Sequence, residues 1–112
     1  MKKRTAAAVL VAATVVAMLA LPVFAAIPKL TGTVGPGFTI SMKKPTKAGK
    51  YTLVVSDKSS IHNFHLKGPN VNVKTSVAAS GSKKFTITLK KGKYTFVCDP
   101  HASTMRGSFT IR

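Results

Sequence analysis

Phe85-Thr86-Ile87-Thr88-Leu89-Lys90-Lys91-Gly92-Lys93-Tyr94-Thr95-Phe96-Val97-Cys98 alternates between apolar and polar residues, with one interruption. Phe85, Ile87 and Leu89 share one parity and Thr86, Thr88 and Lys90 the other. Lys91-Gly92 breaks the run, and Tyr94, Phe96 and Cys98 resume it. Successive side chains of a β-strand point to opposite faces, so a period of two marks strands with one buried face. The same period recurs upstream in Phe38, Ile40, Met42 and in Tyr51, Leu53, Val55, and downstream in Phe109 and Ile111. Gly35-Pro36-Gly37, Pro45 to Gly49, Gly68-Pro69-Asn70 and Ser80-Gly81-Ser82 punctuate the runs as turn residues do. No stretch after residue 27 carries helical periodicity. Six to eight short strands at this spacing predict an all-β fold, an antiparallel sandwich or barrel.

The chain before that region has another character. Met1-Lys2-Lys3-Arg4 is basic, Thr5 to Phe24 is apolar or small without a charge, and Val23-Phe24-Ala25 supplies small residues at the positions a signal peptidase reads. That order is a secretory leader over 1–25, with cleavage expected after Ala25 and Ala26 as the second choice. The apolar run is also long enough to act as a membrane anchor if it is retained. Either way residues 26–112 form one exported domain, periplasmic or extracellular, expected to be monomeric.

Eighteen Lys and Arg stand against two acids, Asp57 and Asp99, for a formal net charge of +16, of which Lys2, Lys3 and Arg4 supply three. Such a field draws acidic partners. Nucleic acid is disfavoured, because the lysines are scattered over turns and strand faces and no recognised nucleic-acid motif is present. With so few carboxylates, paired-carboxylate acid–base chemistry is excluded. A small domain needs a staple. Exported domains commonly use disulfides, but Cys98 is the only cysteine. A lone exported cysteine points to an intermolecular bridge, a reactive thiol or a metal ligand.

The three histidines lie in two segments, Ile61-His62-Asn63-Phe64-His65-Leu66 and Cys98-Asp99-Pro100-His101-Ala102-Ser103-Thr104-Met105. Singly, Cys98 reads as a core residue, His101 as a loop histidine and Met105 as a gap filler. Together they end a strand with a thiol, turn through a proline and present an imidazole and a thioether. Two His and one Cys in a plane with a weak axial Met make a mononuclear blue-copper site. Zinc fits less well, since Met is a poor zinc ligand and structural zinc sites favour more thiolates. A Cys–His nucleophile would need an oxyanion hole that nothing marks. His62 is the natural source of the fourth ligand. His62 and His65 stand three apart, so on an extended strand only one of them faces the site.

His62-Asn63, Gly92-Lys93-Tyr94-Thr95-Phe96-Val97-Cys98, Cys98-x2-His101-x3-Met105 and Met105-Arg106-Gly107-Ser108-Phe109-Thr110-Ile111 together resemble the plastocyanin/azurin (cupredoxin) family, nearest to its plastocyanin, amicyanin and pseudoazurin branch. The resemblance runs from about Phe38 to the end. It implies a Greek-key β-sandwich with one copper ion at one end, held by His62, Cys98 and His101 as equatorial ligands and Met105 as the axial one. Asn63 would tie the ligand segments together, and Tyr94 would be structural. The three-residue gap between His101 and Met105 falls between the family's shorter and longer loops, and Asp99 stands where a hydroxyl is common.

The implied function is electron transfer by Cu(I)/Cu(II) cycling rather than catalysis. The His101 edge would be the electron port, with Pro69, Pro100 and Ala102 as an apolar patch and Lys67 and Arg106 steering an acidic redox partner. A copper-delivery module uses the same ligands, and a metal-free surface module shares the sandwich.

Overall fold

The computed structural model describes residues 12–15 and 26–112. Most of the leader assigned to 1–25 lies outside the described residues. Among those described, no helix is long and apolar enough to cross a membrane.

Eight strands follow one another among the described residues: β1 (Lys29–Val34), β2 (Ile40–Met42), β3 (Gly49–Asp57), β4 (His65–Gly68), β5 (Val71–Lys74), β6 (Gly81–Leu89), β7 (Gly92–Val97) and β8 (Arg106–Ile111). They form two four-stranded sheets, ordered β2-β1-β3-β6 and β5-β4-β7-β8. The expected all-β sandwich is therefore present, with the chain crossing between sheets after β3, β5 and β6. The run that decides the fold is itself split by a crossing: the Phe85 strand lies in one sheet and the Tyr94 strand in the other.

Two features differ from the sequence reading. Lys29–Val34 forms a strand that pairs parallel with β3, Leu30 opposite Leu53 and Val34 opposite Asp57, while every other ladder is antiparallel. Its alternation is masked by small and polar residues, for only Leu30, Gly32 and Val34 turn fully inward. The second is Phe38, expected on the buried face of a strand. The strand begins at Ile40, and Phe38 is 65% exposed. Gly35 and Gly37 take φ +70 and +76, a region that L side chains rarely adopt, and this turn swings Phe38 out of the ladder. The turn is closed by the Gly35 N–H donating to the Thr39 carbonyl at 2.8 Å.

The core lies between the sheets. Leu53, Val55, Leu66, Leu89, Tyr94 and Ile111 are buried in it. Phe64 stacks on Phe96 at 5.9 Å between ring centroids, and Tyr94 on Phe109 at 5.1 Å. Gly107 exists for the Phe96 ring, since a Cβ there would stand 2.2 Å from it. Burying side chains of this size stabilises by about 1.5–3 kcal/mol each. Every described strand and core residue lies between Lys29 and Ile111.

The register separates two ends. The turn after β1, the end of β3 and the end of β7 with Cys98 lie at one; Lys29, the start of β3 and the β6–β7 turn lie at the other. At about 3.3 Å per residue, the nine residues of β3 set these ends roughly 30 Å apart.

Candidate metal centre

Cys98 leaves β7 in extended conformation, φ −93 and ψ 116, and the chain enters a single 3₁₀ turn, Asp99–His101, with Pro100 in its first turn. Proline costs nothing there, because the first N–H groups of a helix have no internal partner. The short turn brings His101 back over Cys98. The His101 N–H donates to the Cys98 carbonyl at 3.0 Å, the Met105 N–H to the His101 carbonyl at 2.8 Å and the Cys98 N–H to the Met105 carbonyl at 3.0 Å. The loop is thereby closed on its own backbone.

His62 arrives from the segment between β3 and β4. Its Nδ1 lies 3.1 Å from His101 Nδ1 and 3.6 Å from Cys98 Sγ, and the His101 Nδ1 to Cys98 Sγ distance is 3.5 Å. These three atoms are the one His/Cys/Asp/Glu cluster among the described residues that could hold a metal ion. A first-row ion with bonds of about 2.0 Å to nitrogen and 2.3 Å to sulfur, ligands 120° apart, spaces its donors roughly 3.5–3.7 Å apart. The triangle is close to that size, and its thiolate and imidazoles suit copper. Two Nδ1 atoms at hydrogen-bond distance share at most one proton, whereas a cation between them satisfies both lone pairs. His62 and Cys98 are buried and His101 is partly exposed. Met105 is buried where the loop returns to β8.

A polar clamp fixes this arrangement. Asn63 Oδ1 accepts from the Asp99 N–H at 2.8 Å, and Asn63 Nδ2 donates to Asp99 Oδ2 at 2.8 Å and to the Thr75 carbonyl at 3.3 Å. His65 does not join the metal triangle. Its Nδ1 pairs with the Asp99 carboxylate at 2.8 Å and its Nε2 lies 2.6 Å from Asn72 Oδ1. Thr75 Oγ1 accepts from the Phe64 N–H at 2.9 Å, tying the end of β5 to the start of β4. Asp99 thus faces the clamp. Burial raises its pKa, but the bonds from Asn63 and His65 outweigh burial and hold the carboxyl below its ordinary value. Asp57, also at this end, is pushed up by burial, against the opposing Ser59 N–H bond and the His62 charge.

The surface residues divide. Pro100 and Ala102 are exposed on the ligand loop beside His101. Arg106 opposes Val97 at the same end. Lys67 opposes Thr95 along β7, near enough to act on Asp99. Pro69 lies elsewhere, against Gly92 at the opposite end of β7 from Cys98. The apolar cover that the sequence reading missed is Phe38, whose ring meets His62 edge-on at 5.1 Å and His101 at 5.0 Å. An aromatic directly after Gly-Pro-Gly was the available signal, since such a turn releases a side chain from its strand.

The family described as copper binding proteins, plastocyanin/azurin family, matches residues 33–112. No curated protein matches the chain.

Proposed function

Because the chain belongs to the plastocyanin/azurin family of copper-binding proteins, we propose that its domain is an exported one-electron carrier with a single type 1 copper site, acting stoichiometrically and not as an enzyme. The observation that supports this most is the triangle of His62 Nδ1, His101 Nδ1 and Cys98 Sγ beneath a partly exposed histidine. Copper, when bound, supplies exchange between Cu(I) and Cu(II). The protein's part is to hold the ligands still. The backbone bonds of the ligand loop and the Asn63–Asp99 pair resist rearrangement between oxidation states, which keeps electron transfer fast. In this reading Met105 would offer its thioether to the same ion. His101 is the port, framed by Phe38, Pro100 and Ala102, while Lys67 and Arg106 attract an acidic redox partner.

The test is the visible spectrum of residues 26–112 with Cu(II), beside Cys98→Ala and Met105→Ala. An intense blue thiolate band is expected, abolished in Cys98→Ala and shifted in Met105→Ala. A colourless wild-type protein overturns the type 1 reading.

A further inference from the structure

The end of the sandwich remote from the ligands carries its own site. A cleft of about 270 Å³ opens there, with Lys29, Lys43, Lys44 and Lys47 on its rim and Pro28, Pro45 and Tyr51 in its wall. Gly49 opposite Leu89 brings Lys90 and Lys91 of the β6–β7 turn to the same end, and Gly92 opposite Ile111 brings Arg112. Both acids of the sequence lie at the other end, Asp57 closing β3 and Asp99 beside Cys98. The positive field is therefore polar, strongest where copper is not held. Over roughly 30 Å of β3 the two ends are electrically independent, since the Debye length at physiological salt is about 8 Å.

We infer that this lysine-rimmed cleft docks the domain on an anionic lipid surface, with the copper end pointing away from it. Three observations select lipid. The rim is lysine throughout, suiting diffuse phosphate charge rather than the bidentate geometry arginine gives. The wall is apolar, and a basic face with an apolar patch is what seats a protein at the headgroup boundary. Pro28 both lines the cleft and opens the domain, so the uncharged run Thr5 to Phe24 joins the fold at this end. If that run is retained in a membrane, this end of the domain is the one held nearest to it. Docking there leaves His101 and Phe38 free. The lipid site does not depend on the electron-carrier reading, and its test needs no copper.

The experiment is sedimentation of residues 26–112 with vesicles of phosphatidylcholine alone or containing phosphatidylglycerol, at low and high salt. A triple variant, Lys43→Gln, Lys44→Gln and Lys47→Gln, is compared with Lys74→Gln, Lys83→Gln and Lys84→Gln. The second set removes the same charge from the copper half, where Lys74 opposes His65 and Lys83 opposes Val55. Binding only to the anionic vesicles, weakened by salt, is expected. Each lysine at a lipid surface contributes about five-fold, so the first variant should lose on the order of 100-fold and the second little. Equal losses in both variants overturn the proposal by showing that net charge alone acts. Binding to soluble polyglutamate without binding to vesicles overturns it as well, assigning the cleft to an acidic protein.

Discussion

Asn63 and Tyr94 do comparable work at opposite ends of the sandwich. Each is a fully buried polar side chain that closes a loop by bonding to its backbone. Asn63 reaches from one ligand segment to the other and holds Asp99 by both its N–H and its carboxylate. The Tyr94 hydroxyl accepts from the Lys90 N–H at 2.8 Å and donates to the Lys90 carbonyl at 3.1 Å, closing the β6–β7 turn. Asn63 joins residues 36 apart in sequence, while the two shorter Tyr94 bonds join residues 4 apart, beside one of 3.4 Å to the Pro69 carbonyl 25 residues away. A long-range clamp fixes the position of two segments relative to each other, which a metal site requires. The local Tyr94 bonds shape their own turn, and the longer one ties that turn to the β4–β5 connection. The ligand segments are thus held to each other by long-range polar bonds, whereas the shortest bonds of Tyr94 stay within its own turn.

Asn63→Ala should have the largest effect, because three hydrogen bonds go at once and the Thr75 carbonyl is left without its Asn63 donor. At about 1 kcal/mol each the loss is roughly 3 kcal/mol, or a fall in Tm of more than about 10 °C for a domain of this size. A purely structural role would stop there. Here the ligand segments also lose their tie, so the copper band should shift and copper should pass faster to a chelator. A variant that melts early yet keeps an unaltered band would show that the clamp is not what positions the ligands. Tyr94→Phe should cost about 1 kcal/mol, since the ring stays packed on Phe109 and the exposed Lys90 groups regain water. Its copper spectrum should match the wild type. A spectral change in Tyr94→Phe would break the separation of the two ends.

The same contrast explains what could be read from the sequence. Phe85–Leu89 and Tyr94–Phe96 declared themselves because their partners lie across the core, and burial on one face imposes the period of two. Cys98 and His101 were legible because one short loop carries both. Lys29–Val34 was not, since a short strand with Thr31 and Thr33 facing out and Gly32 facing in offers little contrast. The place of Phe38 and the partner of His65 were not foreseen for a related reason. Their environment is made by segments far away in the chain: Phe38 meets His62 and His101, and His65 meets Asp99. No local pattern encodes such a partner.

The two acids sharpen the comparison within the copper end itself, with the smallest expected effect. Asp99 is partnered and its carboxyl is held below its ordinary value, so its contribution to stability is present above that value and is lost as pH falls through the lowered one. Asp57 has the opposite sign. One of its oxygens accepts from the Ser59 N–H at 3.0 Å, while Oδ2 is buried without a partner. Burial raises its pKa, so the folded state holds the proton more tightly than the unfolded chain does, and ionisation works against the fold. The penalty grows as pH rises from the ordinary carboxylate value through the raised one and is then constant. Asp57→Asn keeps the oxygen that meets Ser59 and removes the charge. At neutral pH it should stabilise the copper-free domain, by at most about 1 kcal/mol. The gain should shrink as pH is lowered through the Asp57 pKa, because the wild-type carboxyl is then neutral as well. Melting curves of the pair from neutral to acid pH measure this directly. A gain that grows on acidification would mean that Asp57 is stabilising as an anion, through His62, and that the copper end draws on both of its carboxylates instead of one.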